Sequence, residues 1–343
     1  MIEFIPPRAA LSYLGSKSKL VGKFRRIFSE AWPDSNTLTF VDAFAGTGVV
    51  TQHVGSLFAR SIVNDQEEYS RLVLTALFTK PVYAWTCKPD PVAGFITRTY
   101  CPRKSKRLSP SDRLYWSRSN GMRLDGFRDW AIENLQGVQR DYALGCMLIA
   151  ADRCANTCGG YWGFRRHFRT ASSRRPVVIE PIPTSDLDVT VQSEDATAVC
   201  LSAPRDAVIY MDPPYGTRSY GNNYFVLNVI GSAHDTAVGT DRKQPGGITG
   251  MPADRIFQKS AWNTTAALEE LKKILSGTPA RRIALSYSDD PTNSMAIEDI
   301  KAAFADRGWE VEAHEIRHMR YASQNPSGLG SAVTELLFVG NRI

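Results

Sequence analysis

Four consecutive residues carry the sharpest chemical signal in the chain. Asp212-Pro213-Pro214-Tyr215 directly follows Ala207–Met211 (AVIYM), a short apolar run rich in β-formers. A strand there places the four residues at a carboxyl end of a sheet, where open α/β sheets bind their ligands. The two prolines stiffen the backbone and remove two N–H donors. What remains is a rigid rim of acceptors, the Asp212 carboxylate and the Asp212 and Pro213 carbonyls, beside the flat ring of Tyr215. Acceptors next to a stacking ring suit a planar base that bears an amino group.

A second constellation lies upstream. Phe44-Ala45-Gly46-Thr47-Gly48 stands between the apolar run Leu38–Ala43 and a stretch with Val49, Val50, Val54 and Leu57 at helical spacing. Glycines in a strand-to-helix turn let backbone approach a ligand closely, and they also serve tight packing turns. No Gly-Lys-Ser/Thr follows, so this is not a phosphate loop. Asp65 ends the next short run, Ser61–Asn64, where a carboxylate can accept hydrogen bonds from ribose hydroxyls.

The elements that must position these residues follow from hydrophobic spacing. A helix near Lys19–Glu30, the strand at Leu38–Ala43, the helix after Gly48 and the strand at Ser61–Asn64 make a βαβ unit, which requires a parallel sheet. From about Tyr69 to Pro183 the pattern changes to helices, at Leu124–Gln139 and Asp141–Asp152, among loops rich in Arg, Lys, Tyr and Trp. A second α/β piece begins near Thr184. Its first clear strand is Ala207–Met211, followed by a helix over Thr264–Ser276, a strand at Arg282–Tyr287, a helix over Met295–Gly308, and strands at Trp309–Ile316 and Glu335–Val339. The expected fold is an α/β, Rossmann-like wound mixed sheet built from residues 1–70 and 184–343, with residues 71–183 as a largely helical insert.

The insert is basic. Arg103, Lys104, Lys106, Arg107, Arg113, Arg118 and Arg123 form one cluster, and Arg165, Arg166, His167, Arg169, Arg174 and Arg175 a second one near Tyr161 and Trp162. Each alone reads as a solvated charged face; two dense runs in one insert point to phosphate and base contacts. The loop Gly239–Lys259 adds Arg242, Lys243, Arg255 and Lys259, and is expected to close over a nucleic acid. The whole chain of 343 residues carries a net charge of +6, with 43% hydrophobic and 22% charged residues and a pI near 9.0. That composition is globular, and the basic balance fits a polyanionic partner. No apolar stretch approaches the roughly 20 residues of a spanning helix, and no export signal is visible at the start, so a cytoplasmic protein without membrane contact is expected. Cys87, Cys101, Cys146, Cys154, Cys158 and Cys200 are scattered; Cys154 and Cys158 could share a helix face, but two further zinc ligands at ordinary spacing are lacking. No metal is expected.

With these residues in this order, the chain resembles the D12 class of DNA N6-adenine methyltransferases. Ser12-Tyr13-Leu14-Gly15-Ser16-Lys17 is similar to that family's N-terminal cofactor motif, Asp42 to Gly48 to its methyl-donor loop, and Asn64-Asp65 to its ribose contact. Glu194-Asp195-Ala196 resembles the element facing the donor's adenine ring, and Asp212 to Tyr215 the catalytic signature. Arg218-Ser219-Tyr220 and Asn222-Asn223-Tyr224 resemble residues that trail this signature in restriction-linked members, and Ser286-Tyr287-Ser288 a later sheet motif. The resemblance implies a class I methyltransferase fold and S-adenosyl-L-methionine as donor. It implies Tyr13, Lys17, Asp42, Phe44, Ala45, Gly46, Gly48, Asp65 and Asp195 as cofactor residues, and Asp212, Pro213, Pro214 and Tyr215 as the catalytic set. It further implies Arg103, Lys104, Lys106, Arg107, Arg118, Arg165, Arg166, Arg169, Arg255 and Lys259 on double-stranded DNA. The implied protein is a monomer or weak dimer, and its restriction endonuclease a genetic rather than a physical partner. Cytosine-N4 methylation uses the same amine chemistry and stays open, although Asp rather than Ser at 212 favours adenine; RNA adenine and a DNA-binding relative without catalysis are the remaining alternatives.

Overall fold

The computed structural model describes residues 11–80, 85, 89–104, 108–183, 185–216, 219–232, 248–252, 260–319 and 332–342. Seven strands form one sheet: β1 (Thr39–Asp42), β2 (Arg60–Asn64), β3 (Val189–Gln192), β4 (Ala207–Met211), β5 (Arg282–Ser288), β6 (Trp309–Met319) and β7 (Ala332–Arg342). Their order is β3-β2-β1-β4-β5-β7-β6. The first five run parallel, and β7 inserts antiparallel between β5 and β6. This is the wound mixed sheet that the βαβ pattern requires.

The sheet's centre is covered on both faces, so its strands read as continuous apolar runs rather than alternating ones. All of β1 and β4 is buried. Phe40, Val208 and Tyr210 face a core with Phe24, Phe28 and Val50 from the helices α1 (Val21–Ala31) and α2 (Val49–Val54). Val41, Ile209 and Met211 face the opposite core with residues of helices at Ala196–Leu201, Ala267–Gly277 and Ile297–Ala305.

Three sequence expectations need correction. A parallel strand, β3, pairs with β2 from Ser61↔Val189 to Asn64↔Gln192 and sits directly before Glu194-Asp195. It escapes hydropathy because it is a four-residue edge strand with none of its residues fully buried. The helix expected over Leu124–Gln139 is instead Arg118–Asn134, capped by the Ser117 hydroxyl on the Asn120 amide. It is separated from the next helix, Gly137–Arg153, by extended Leu135 and Gln136. Cys154 caps that helix and Cys158 lies beyond it, so the two thiols share no helix face.

The insert is not an isolated body. Helix α3 (Glu68–Phe78), in which the expected boundary at 70/71 falls, packs on Gly137–Arg153 so closely that a Cβ at Gly145 would lie 2.0 Å from the Leu72 carbonyl oxygen. Tyr69, Leu72 and Val73 share one core with the insert's Leu124, Phe127 and Leu148 and with Tyr224–Ile230. The insert is thereby anchored to both sides of the site described next.

Candidate active site

In the strand order, β1 and β4 are neighbours although the chain leaves β1 for β2 and returns through β4. Such a reversal opens a crevice at the carboxyl ends of the strands. There the structure has a cleft open to solvent. Tyr13, Gly15, Phe44, Asp65, Asp212 and Pro214 all line it. The glycine turn and the proline-stiffened turn, far apart in sequence, therefore face the same space.

The glycine turn is shaped by its own contacts. Gly46 has φ +52° and a Cβ there would stand 3.0 Å from the Tyr13 ring; Gly48 has φ +72° and a Cβ would stand 2.9 Å from Leu74 and Phe78. Both positions need glycine for conformation and for space. The Asp65 carboxylate accepts the Gly46 amide at 2.9 Å on one oxygen and the Glu67 amide at 2.9 Å on the other. Asp65 thus clamps the turn while lining the cleft. Asp42 lies beneath it, fully buried, bonded to the Thr51 hydroxyl at 2.7 Å, and burial lifts its carboxyl to about 7. Ala45 is packed against Val63, Leu74 and Phe78. Asp42, Ala45 and Gly48 support the turn rather than line the cleft. The Asp195 side chain is exposed and caps the following helix by accepting the Ala198 amide; its neighbours Glu194 and Ala196 line the cleft.

Tyr13 clusters with Tyr220 and Tyr224, its ring centroid 5.3 and 5.2 Å from theirs. The loop that carries it is held by the Leu14 amide on the Tyr224 hydroxyl and by the Ser12 amide on Asp152 of the insert. Sequence reasoning gave no role to Glu67, which lines the cleft, bonds the Asn228 amide and is pushed up to about 7 by burial. A lone acid two residues past Asp65 carries no pattern that would have marked it.

The same loop delivers Lys17, 5% exposed, to the Asp212–Tyr215 turn. Its Nζ lies 2.8 Å from Asp212 Oδ1 and 3.5 Å from Glu335 Oε1. The Tyr215 hydroxyl donates to the same Asp212 Oδ1 at 2.8 Å, and also meets Glu335 Oε1 and Ser286 Oγ. Among the described residues, both partners of the Asp212 carboxylate sit on Oδ1. Burial pushes the Asp212 carboxyl above its ordinary value, Lys17 opposes that, and Glu335 adds to it. The turn is pinned from the β5 side: the Ser294 amide donates to the Tyr215 carbonyl at 2.7 Å, and the Tyr287 ring packs 4.7 Å from the Tyr215 ring. Pro213 is buried and Pro214 half-exposed.

A family comparison decides between the open alternatives. The model of the D12 class N6 adenine-specific DNA methyltransferases matches residues 13–241. The chain belongs to this family. It is an adenine-specific DNA methyltransferase, which sets aside cytosine-N4 methylation and RNA as its activity. The match runs from Tyr13 of the N-terminal loop through the insert and beyond Tyr215. The chain is 29% identical to the type II methyltransferase M.CviAII of Paramecium bursaria Chlorella virus 1, covering 96% of this chain and 97% of that one. It is 26% identical to the type II methyltransferase M.NlaIII of Neisseria lactamica, covering 86% and 87%. It is 24% identical to the modification methylase LlaI of Lactococcus lactis subsp. lactis, covering 95% of this chain and 54% of that protein. Methyltransferases of this kind draw the methyl group from S-adenosylmethionine.

The basic residues of this D12 methyltransferase divide by environment. Arg165, Arg166, His167, Arg169, Arg174 and Arg175 are exposed, with Arg165 and Arg174 braced on the Thr157 and Phe168 carbonyls. Trp162 beside them is 45% exposed, whereas Tyr161 is buried and bonded to Asp152. In the first cluster Lys104 and Arg123 are exposed and Arg118 half-buried. There Arg103 pairs with Asp112 at 3.1 Å, and Arg113 bonds the Thr99 and Ile248 carbonyls. Lys106, Arg107, Arg218, Arg242, Lys243, Arg255 and Lys259 lie outside the described residues. No helix among the described residues is long and apolar enough to cross a membrane.

Proposed function

We propose that methyl transfer takes place in the cleft between β1 and β4, with Asp212 as acceptor for the target amine. The observation that carries this is the one-sided engagement of its carboxylate: Lys17 and Tyr215 occupy Oδ1, so Oδ2 is available to a new donor. The adenine amine is a weak nucleophile because its lone pair is delocalised into the ring. Hydrogen bonds from its two N–H groups to Asp212 and to the Pro213 carbonyl favour a pyramidal nitrogen with an outward lone pair. That nitrogen forms its bond to the methyl carbon as the carbon–sulfur pair returns to sulfur, and it then sheds one proton. Catalysis here is orientation plus acceptors aimed at developing positive charge.

The donor's residues are Tyr13, Phe44, Asp65, Glu67 and Glu194 around the cleft, with Lys17, Asp42, Ala45, Gly46, Gly48 and Asp195 supporting them. The lining fits a cation: Asp65, Glu67, Glu194 and Asp212 are acidic, and Lys17 is already paired. When bound, S-adenosylmethionine supplies an electrophilic methyl on a positively charged sulfur. The target base must leave the duplex, at a cost of a few kcal/mol. Tyr215 stands beside Asp212 with Lys17 Nζ 4.9 Å from its ring centroid and Tyr287 packed against it; a base that stacks on its remaining edge or face regains roughly 1–3 kcal/mol. The exposed arginines of the second cluster, with Arg103, Lys104 and Arg118, hold the phosphates. The chain's similarity to enzymes named type II methyltransferases supports a role as the protective partner of a restriction endonuclease.

Transfer of labelled methyl from the donor to plasmid DNA, followed by mapping of modified bases, tests this. Asp212→Ala is expected to abolish transfer while donor binding persists. A wild-type protein that binds DNA and donor but transfers nothing would point to a relative without catalysis.

A further inference from the structure

We propose that Glu335 is a positioning residue for methyl transfer, holding Lys17 and Tyr215 so that both engage one Asp212 oxygen and the other faces the amine. The proposal rests on Asp212 as the amine acceptor. Glu335 opens the apolar run Leu336-Leu337-Phe338-Val339 in β7, far from every other site residue in sequence. It pairs with Ser288 of β5 and Ile316 of β6, and only 3% of it is exposed. A carboxylate buried in a central strand is destabilising unless its partners compensate for lost hydration. Its Oε1 accepts from the Ser286 hydroxyl, shares the single Tyr215 hydroxyl proton with Asp212 Oδ1, and has Lys17 Nζ at 3.5 Å. Two of these three groups are the same two that hold Asp212 Oδ1. A frame that fixes a reacting carboxylate through buried, hydrogen-bonded neighbours is what preorganisation requires.

Charge gives Glu335 a second part. Among the described residues, Lys17 stands between the Asp212 and Glu335 carboxylates, so Glu335 sets part of the negative field beside the nitrogen on which positive charge develops. Among the described residues, the groups facing Glu335 include Lys17 from the N-terminal loop, Tyr210, Asp212 and Tyr215 from β4 and its turn, and Tyr220 from the segment after that turn. β5 contributes Ser286 and β6 is paired there through Ile316.

Glu335→Gln keeps the shape and removes the charge. In single-turnover transfer at saturating donor and DNA, the plateau rate is expected to fall about 10- to 100-fold, with both dissociation constants within about twofold of wild type. Burial raises the Asp212 carboxyl, Lys17 lowers it and Glu335 raises it again; without Glu335's charge, the acid limb of the rate profile moves to lower pH. Glu335→Asp keeps the charge but withdraws it by one methylene, so the plateau falls and the limb stays. A Glu335→Gln enzyme with a wild-type plateau, or with a lowered plateau and an unmoved limb, overturns the proposal. Should that variant fail to fold, a wild-type plateau in Glu335→Asp overturns it instead. Asp212→Asn separates the two levels: if it still transfers, the acceptor assignment itself fails; if it is dead while Glu335→Gln is unaffected, only this inference fails.

Discussion

Replacing Lys17 by methionine removes the one cation that the structure places against Asp212 and leaves a chain of similar length. The Lys17–Asp212 contact is 2.8 Å, with side chains 6% and 19% exposed, and Glu335 lies 3.5 Å from the same nitrogen. Breaking a buried pair by deleting one partner costs about 3–5 kcal/mol, because the remaining charge is stranded. The protein avoids part of that cost by binding a proton. Divided by about 1.4 kcal/mol per tenfold change in proton affinity, the same energy pushes the Asp212 carboxyl up by a factor of roughly 100 or more, from a value that burial already raises. The sign of the pH dependence follows. A carboxyl whose folded value lies above its unfolded value leaves the folded state with more protons, so stability falls as pH climbs from the unfolded value to the folded one. Lys17→Met should therefore melt nearly with wild type around pH 5 and progressively below it by pH 8. Its transfer rate should be at least about 100-fold down at pH 7 and climb with pH, because the amine acceptor must be ionised. The double variant Lys17→Met/Asp212→Asn should regain most of the melting temperature without regaining activity. Calorimetry and single-turnover assays across pH 5–9 read both effects. A melting loss that is equal at all pH values, or a double variant no more stable than the single, would refute the reasoning.

Other outcomes follow from the same geometry. Tyr215→Ala loses the ring and the hydroxyl that reaches Asp212 and Glu335, so transfer should fall well below that of Tyr215→Phe; equal losses would remove stacking from the account. Gly48→Ala forces a Cβ into a φ of +72° and to 2.9 Å from Leu74 and Phe78, and should lower unfolding free energy by about 1–3 kcal/mol in urea titrations. Changing Arg165, Arg166 and Arg169 together to alanine should leave transfer at saturating DNA nearly intact. If each contacts one phosphate, the slope of log affinity against log salt drops by about 0.9 per arginine; an unchanged slope would move the DNA surface elsewhere.

The sequence by itself determined the two strand–turn pairs that meet at the cleft. An apolar run ended by Asp-Pro-Pro-Tyr, and another ended by Phe-Ala-Gly-Thr-Gly, read correctly as β4 and β1 because both strands are buried on both faces and so carry continuous hydropathy. The family resemblance rested on those same residues, and the match over residues 13–241 bears it out. Basic runs were visible too, but not that Arg113 is turned onto carbonyls or that Arg103 is paired with Asp112; charge is written in the sequence, its partners are not.

Tertiary structure alone decided who meets whom. Lys17, Asp212, Ser286 and Glu335 come from four separate stretches, and only the sheet order, with β7 inserted antiparallel beside β5, brings Glu335 against Tyr215 and Lys17. Nothing local distinguishes Glu335 from any strand acid, nor Glu67 from a solvated loop acid, because their character comes from burial. The edge strand β3 was hidden for the opposite reason: half-exposed, it has too little apolar signal to be read, and only its ladder with β2 defines it. Periodicity reports how much of an element is buried, whereas the identity of the neighbour across a cleft depends on topology, which no short window of sequence contains.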